Sequence, residues 1–476
     1  MDIELEKDVF MLLDDTIVAP STPLSVPSAI GVIRISGANA EKILLKTVFL
    51  KNGIPVSDAG GSIKPGRMRH AFILEGGAGI VLDEVMFCFY RGPRSYTGED
   101  MAEIFCHGGS YNMQRVITAI MESGARYAEP GEFTRRACIN GKMDICQAEA
   151  ILDVIGSKAK PLHDIAISQV RGSLSFEISG IKRLLLDDLA EIEANLDFPE
   201  DDVEAVDMKK LLAKIIGARE RCGELLRTHE YGKVIRNGLR AVITGCPNTG
   251  KSSLFNLLLR EDRAIVTEIP GTTRDTLEET VNINGVPFTL IDTAGMRDAQ
   301  DEIEKIGMRR ANSEIERADI VVAMFDMSRA VSGEDLGVLK SSAGRPRIIV
   351  LNKMDDRSEE FHIIPHLLDG EETVKISVKE NILIDELKKA ILQKSGMLNI
   401  NAEYSKNIIT NARHASALKR AIESLDDAVS TINAGAPVDL LTVDIRAALS
   451  SLGEIVGETL TEDILHKIFE KFCIGK

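Results

Sequence analysis

Tryptophan is absent from the sequence and aromatic residues make up only 4% of it, which argues against an extended platform for stacking nucleic-acid bases. A surplus of positive charge is lacking too. The chain has 57 Lys and Arg against 73 Asp and Glu, a formal net of −16, whereas phosphate backbones are held chiefly by Lys and Arg. An RNA partner would therefore need a local basic patch or a helper protein. No run approaches the roughly 18 uninterrupted apolar residues of a membrane span, and the acidic opening "MDIELEKD" is unlike a secretory leader. Cysteines occur at 88, 106, 138, 146, 222, 246 and 473 without a C-x-x-C pair, which argues against zinc knuckles and a disulfide framework. These absences favour a protein of the reducing cytoplasm with no membrane anchor.

What is present suggests several domains. At 476 residues the chain is too long for one core, and at roughly 150 residues per domain it should form about three. From Thr16 to about Gly141, strand-like runs ("AIGVIRISG", "EVMFCFY", "AEIFCHGG") alternate with Gly and Pro turns, with a helical stretch near Asn112–Ser123, as in a compact α+β unit. The period then changes. Leu174, Ile178, Ile181, Leu185, Leu189, Ile192 and Leu196 recur at steps of three or four, which predicts a bundle helix ending at "DFPEDDVE". From about Asn237 to Gly396, the runs "RAVIT", "FTLID", "DIVVAMF" and "RIIVLN" are separated by helical patterns, the signature of a parallel sheet with crossover helices. Helical periodicity then returns. The expected organisation is an α+β domain over 1–141, a helical domain in two parts over 142–237 and 398–476, and an inserted α/β domain over 238–397.

The α/β segment carries the chemistry. "GCPNTGKSS" matches G-x-x-x-x-G-K-S from Gly245 to Ser252, directly after a strand run and before a helical one. Around such a loop Asn248, Thr249, Gly250 and Ser253 surround the phosphates, Lys251 reaches the β and γ oxygens, and the Ser252 hydroxyl ligates Mg²⁺. "DTAG" follows at Asp292, Thr293, Ala294 and Gly295; its acid can hold the metal and its glycine N–H can sense the γ-phosphate. "NKMD" comprises Asn352, Lys353, Met354 and Asp355. The Asp355 carboxylate can accept from N1–H and the 2-amino group of guanine, a donor pair that adenine lacks. Ser377, Val378 and Lys379 complete the base pocket, and "GTTRD" lies where a switch loop supplies a second Mg²⁺ ligand, Thr273. The predicted ligand is GTP. In a Ras-like site a Gln two residues beyond the D-x-x-G glycine orients the attacking water, but this position is Arg297. The downstream acids Glu302 and Glu304 are either candidates for that role or solvated residues at a helix start.

On "DTIVAP", "GVIRISG", "TGED", "HGG", "PGEFTRRA", "GKMD", "QAEAI", "DFPE", the nucleotide motifs and the terminal "FCIGK", the chain resembles the MnmE (TrmE) family of tRNA-modification GTPases over nearly its whole length. The resemblance implies a multi-domain α/β and α+β fold: an N-terminal folate-binding and dimerising domain, a helical bundle, and an inserted Ras-like P-loop GTPase domain with a mostly parallel sheet. It implies a homodimer that joins an MnmG-like FAD protein in a heterotetramer. That assembly places an aminomethyl or carboxymethylaminomethyl group on C5 of the wobble uridine of certain tRNAs, using 5-formyl- or 5,10-methylene-tetrahydrofolate. Folate contacts would fall on Arg34, Glu103, Lys142 and Lys476. A K⁺ ion would be held by Asn248, Thr267, Ile269 and Thr272, within a nucleotide-contacting stretch that also includes Glu268, Pro270 and Gly271. Glu304 matches the family's water-orienting acid. "FCIGK" would be a docked tail with Phe472 and Ile474 buried, Lys476 near the folate and Cys473 near the modification site, as nucleophile or as structural thiol. A regulatory GTPase of ribosome assembly shares the nucleotide motifs, and a GTP-regulated one-carbon transferase acting on a small substrate shares the folate domain; both stay open on sequence alone.

Overall fold

The structure is a computed structural model that describes residues 15–50, 54–56, 63–75, 80–197, 207–262, 278–292, 313–359, 361, 370–397 and 407–476. The chain divides into two compact units, Met1–Leu152 with Val456–Lys476, and Asp153–Ile455.

The first unit is built on strands β1 (Ile17–Pro20), β2 (Ile30–Ser36), β3 (Val48–Phe49), β4 (Arg69–Glu75), β5 (Ile80–Tyr90), β6 (Met101–His107) and β7 (Arg126–Tyr127), ordered β3-β4-β5-β6-β2-β1-β7. All pairs are antiparallel except β1 with β7. Alternate residues of the central strands face opposite ways. Ile33 and Ile35, Phe87 and Phe89, Ala102 and Ile104 join the core with the helices Ala40–Thr47 and Ser110–Glu122. The intervening residues Arg34, Glu103 and Cys88 form a transverse row, with Glu103 opposite Arg34 on one side and Cys88 on the other.

"PGEFTRRA" explains itself in three dimensions. Gly131, at φ 70°, precedes the helix Glu132–Ile139, and a Cβ there would lie 2.7 Å from the Phe469 carbonyl oxygen. Arg136 is 1% exposed. Its guanidinium donates to Glu132 Oε1 at 2.9 Å, Glu99 Oε1 at 3.2 Å and the Asp15 carbonyl at 3.0 Å. A buried cation persists only when paired and hydrogen-bonded in this way. The network ties helix, β1 and the "TGED" loop together, and so fixes Phe133 in the core.

The second unit combines helices with a second sheet. In the helix Ser173–Asp197, Leu174, Ile178, Ile181, Leu185, Leu189 and Ile192 are buried as the period predicts. Leu196, in the last turn, is 45% exposed and falls outside that stripe. Met208–Arg227, Ala412–Asn433 and Val438–Val456 are the other long helices. The sheet comprises β8 (Leu239–Gly245), β9 (Glu278–Ile283), β10 (Val286–Asp292), β11 (Ile320–Asp326), β12 (Arg347–Asn352) and β13 (Glu372–Lys375), ordered β13-β12-β11-β8-β10-β9. Only the edge strand β9 runs antiparallel to its neighbour, in accord with the expected mostly parallel sheet. The segments entering and leaving this sheet lie side by side. Gly232, in the helix His229–Asn237 that leads to β8, is so close to the returning chain that a Cβ would sit 2.2 Å from the Ile409 carbonyl oxygen. Ile409 N–H donates to Thr228 Oγ1 at 2.9 Å. Among the described residues no helix is long and apolar enough to cross a membrane.

Candidate functional site

The motifs of the second sheet converge at the carboxyl ends of its strands, where open α/β folds bind ligands. β8 ends at Gly245 and the helix Lys251–Asp262 starts after a loop with Asn248 at φ 63° and Gly250 at φ 98°. Each glycine is needed there. A Cβ at Gly245 would be 2.5 Å from the Met324 carbonyl oxygen, and one at Gly250 would be 2.3 Å from Asn352 Nδ2. Inside the loop, Thr249 Oγ1 and Lys251 Nζ both donate to the Cys246 carbonyl, at 2.9 and 2.8 Å.

One buried amide joins three motifs. Asn352 Nδ2 donates to the Thr249 carbonyl at 2.8 Å, while its Oδ1 accepts from Val378 N–H at 3.1 Å. The "NKMD" asparagine thus clamps the phosphate loop and the "SVK" loop together. Asp355 is exposed beside this clamp. A hydrogen bond from the Ser377 hydroxyl holds its carboxyl below the usual range, so it is an ionised, acceptor-only group at neutral pH. Asn248, Lys251, Ser252, Asn352, Asp355 and Lys379 line a cleft of about 1750 Å³.

Mg²⁺ is implied by this class of loop, and the donor set fits it. Ser252 Oγ donates to Asp292 Oδ2 at 2.8 Å, so a hydroxyl and a carboxylate meet at the mouth of the loop. Oxygen donors of this kind suit a small hard cation that keeps several waters. The other residues predicted for this site, Thr267, Glu268, Ile269, Pro270, Gly271, Thr272, Thr273, Thr293, Ala294, Gly295, Arg297, Glu302 and Glu304, lie outside the described residues.

The structure adds residues that no motif flags. Asp335, 2% exposed, accepts from Arg329 NH1 and NH2 at 2.7 and 2.9 Å and from Ser332 N and Oγ at 2.9 and 2.8 Å. Burial alone would raise its pKa, but Arg329 and the Ser332 donors lower it to about 2. Cys246 sits nearby in the phosphate loop, and burial followed by the Asp335 carboxylate pushes its thiol up to about 11, so it remains protonated. Asp326 and Lys353 form a second such pair, 2.6 Å apart.

In the first unit, Arg34 and Glu103 are brought together directly. Arg34 Nε and NH2 donate to Glu103 Oε1 at 3.1 and 2.8 Å, and Tyr90 Oη donates to Glu103 Oε2 at 3.4 Å. The guanidinium also stacks on Tyr96 and Phe133, 5.0 and 5.8 Å from the ring centroids. The two residues expected to touch a ligand separately therefore neutralise each other across the sheet. Lys142 donates to the Pro93 carbonyl at 2.8 Å.

The tail is docked. Phe472 is buried with Ile145, Ala148, Ile468 and Phe469. Gly475, at φ 92°, packs so closely that a Cβ would be 1.9 Å from the Pro20 carbonyl oxygen, and Ser21 Oγ donates to the Gly475 carbonyl at 3.4 Å. Lys476 is half-buried, and burial followed by the nearby Arg34 charge lowers its pKa. Ile474 departs from expectation: it is 44% exposed, because the turn that seats Gly475 on β1 leaves the preceding side chain outside. Cys473 is exposed as well.

A strand, phosphate loop and helix joined to an "NKMD" clamp on a mostly parallel sheet define a P-loop protein of the guanine-nucleotide class. Family models described as "GTP-binding protein TrmE N-terminus" and "MnmE helical domain" match residues 16–142 and 145–473. The chain is 41% identical over 467 residues to the tRNA modification GTPase MnmE of Alkaliphilus metalliredigens, covering 98% of this chain and all of the relative. It is 40% identical over 469 residues to that of Acetivibrio thermocellus, again covering 98% of this chain and all of the relative. A solved structure of Aquifex aeolicus Era bound to GDP and aluminium fluoride is 26% identical over 39% of this chain and 66% of its own, with a TM-score of 0.27. The chain belongs to the MnmE family of tRNA modification GTPases.

Proposed function

We propose that the protein couples GTP hydrolysis to the placement of an aminomethyl or carboxymethylaminomethyl group on C5 of the wobble uridine of certain tRNAs. The one-carbon unit comes from 5-formyl- or 5,10-methylene-tetrahydrofolate, and a homodimer of this chain works in a heterotetramer with an MnmG-like FAD protein. On this reading 1–141 binds folate and dimerises, 142–237 and 398–476 form the helical domain with its tail, and 238–397 is the GTPase domain. The observation that carries it is the seated tail, which puts Lys476 beside Arg34 in the same unit that matches the TrmE N-terminus. Two carboxylates on a folate glutamate favour such cationic partners.

At the nucleotide, the backbone N–H groups of the loop and Lys251 stabilise charge on the phosphates, and Asp355 reads the guanine edge. Mg²⁺, held by Ser252, Thr273 and Asp292, supplies charge neutralisation between β- and γ-oxygens. Asn248, at φ 63°, offers a side-chain oxygen for K⁺ together with Thr267, Ile269 and Thr272, and Glu304 orients the attacking water. Potassium-dependent pairing of two GTPase domains drives hydrolysis. Cys473 is exposed at the tail and serves either as nucleophile or as a structural thiol.

Mass spectrometry of tRNA nucleosides after removal of the gene tests the proposal. The C5-modified wobble uridines should disappear and return with the wild-type gene. An unchanged nucleoside profile would instead favour a GTPase acting elsewhere, as in ribosome assembly.

A further inference from the structure

Asp326 ends β11 directly opposite Asn352 of β12 and is 6% exposed. Its two oxygens have separate tasks. Oδ1 accepts from Ser328 N and Oγ at 2.8 and 2.6 Å, while Oδ2 accepts from Lys353 Nζ at 2.6 Å. The same turn is bonded to "NKMD" through the backbone, Met327 N–H donating to the Asn352 carbonyl and Ser358 N–H to the Met327 carbonyl, both at 2.9 Å.

Lys353 has φ 64°, a left-handed conformation that costs a non-glycine residue on the order of 1 kcal/mol. Such a residue persists when its surroundings over-determine it. It lines the nucleotide cleft with Asn352 and Asp355, and its side chain is 35% exposed. The ammonium is held at Asp326, so the methylene stem runs from the cleft to the floor of the turn. A stem fixed at its far end is a flat apolar wall beside the Asp355 carboxylate. Burial alone would raise the Asp326 pKa, but the Lys353 ammonium and the Ser328 donors hold it below the usual carboxylate range, which keeps the anchor charged.

We propose that Asp326 is a positioning residue for guanine recognition: by anchoring the Lys353 ammonium, it fixes the lysine stem as the surface against which the purine ring packs while Asp355 reads its edge. This rests on the cleft being the guanine-nucleotide site. Without the anchor the stem regains its rotamers, and the base must order it on binding.

Stopped-flow binding of fluorescent GDP to the full chain tests this with Asp326→Asn, Lys353→Met and the double variant, each first checked for an intact unfolding transition. Asp326→Asn should raise Kd roughly ten- to a hundredfold, the scale of one charge-assisted hydrogen bond, mainly through a faster off-rate. In GTP turnover the loss should fall on KM rather than on kcat. Lys353→Met keeps the stem but cannot be tethered, so it should lose about the same factor, and adding Asp326→Asn should cost less than about twofold more. Independent, multiplying losses, or wild-type affinity in Lys353→Met alone, would overturn the proposal. Failure of the wild type to bind GDP would instead remove the guanine reading beneath it.

Discussion

Asp355→Asn is expected to weaken GDP binding by roughly 10²- to 10⁴-fold and to turn preference toward xanthosine nucleotides. The magnitude follows from two hydrogen bonds to a charged acceptor, each worth about 1.5–3 kcal/mol. The carboxylate is ionised and acceptor-only, held so by the Ser377 hydroxyl. Guanine presents N1–H and a 2-amino group to it, whereas the side-chain amide turns one acceptor into a donor that faces a guanine donor. Xanthine replaces the amino group with a carbonyl and so accepts from that amide. The Asn352 clamp is untouched by the change, so the phosphate loop keeps its geometry. Competition between GDP and xanthosine diphosphate measures the switch, and an unchanged GDP affinity would refute the assignment of Asp355.

Gly475→Val is expected to abolish tRNA uridine modification while leaving GTP hydrolysis within about twofold of wild type, because it acts on the tail and not on the cleft. At φ 92° only glycine is at ease, and a β-branched residue is a genuine outlier. Space forbids it as well: a Cβ would lie 1.9 Å from the Pro20 carbonyl oxygen, so the tail must lift from β1. Lys476 then leaves Arg34, and folate affinity should fall by about tenfold or more, the loss of one charge-assisted contact. Deleting Cys473–Lys476 should reproduce the effect, whereas Cys473→Ser removes the thiol without disturbing the turn. A structural thiol tolerates that change and a nucleophile does not. Wild-type modification levels in Gly475→Val would show that the docked tail has no part in the chemistry.

The contrast between what could and could not be read in advance follows sequence separation. The phosphate loop, Asp292 and "NKMD" are legible because each is a contiguous motif placed by its own strand end. The core faces of β2 and of the helix Ser173–Asp197 are legible from local period. Arg34 and Glu103 could be named as site residues, but their mutual pairing spans 69 residues and depends on β2 lying beside β6. Arg136 and Asp15, 121 residues apart, show why "PGEFTRRA" carries two arginines only once the fold is known. Asp326 escaped notice because an acid after an apolar strand is unremarkable until Lys353 is seen to reach it. Ile474 was expected inside on hydrophobicity alone, and it is the φ of Gly475 that turns it out.

Isothermal titration of the purified chain with GDP and, separately, ADP tests the central assignment most directly. The arrangement of Lys251, Asn352 and Asp355 predicts one GDP per chain and ADP weaker by roughly 10³-fold or more, since adenine leaves the Asp355 carboxylate without its donor pair. Equal binding of the two nucleotides, or no GDP heat at all, would contradict it.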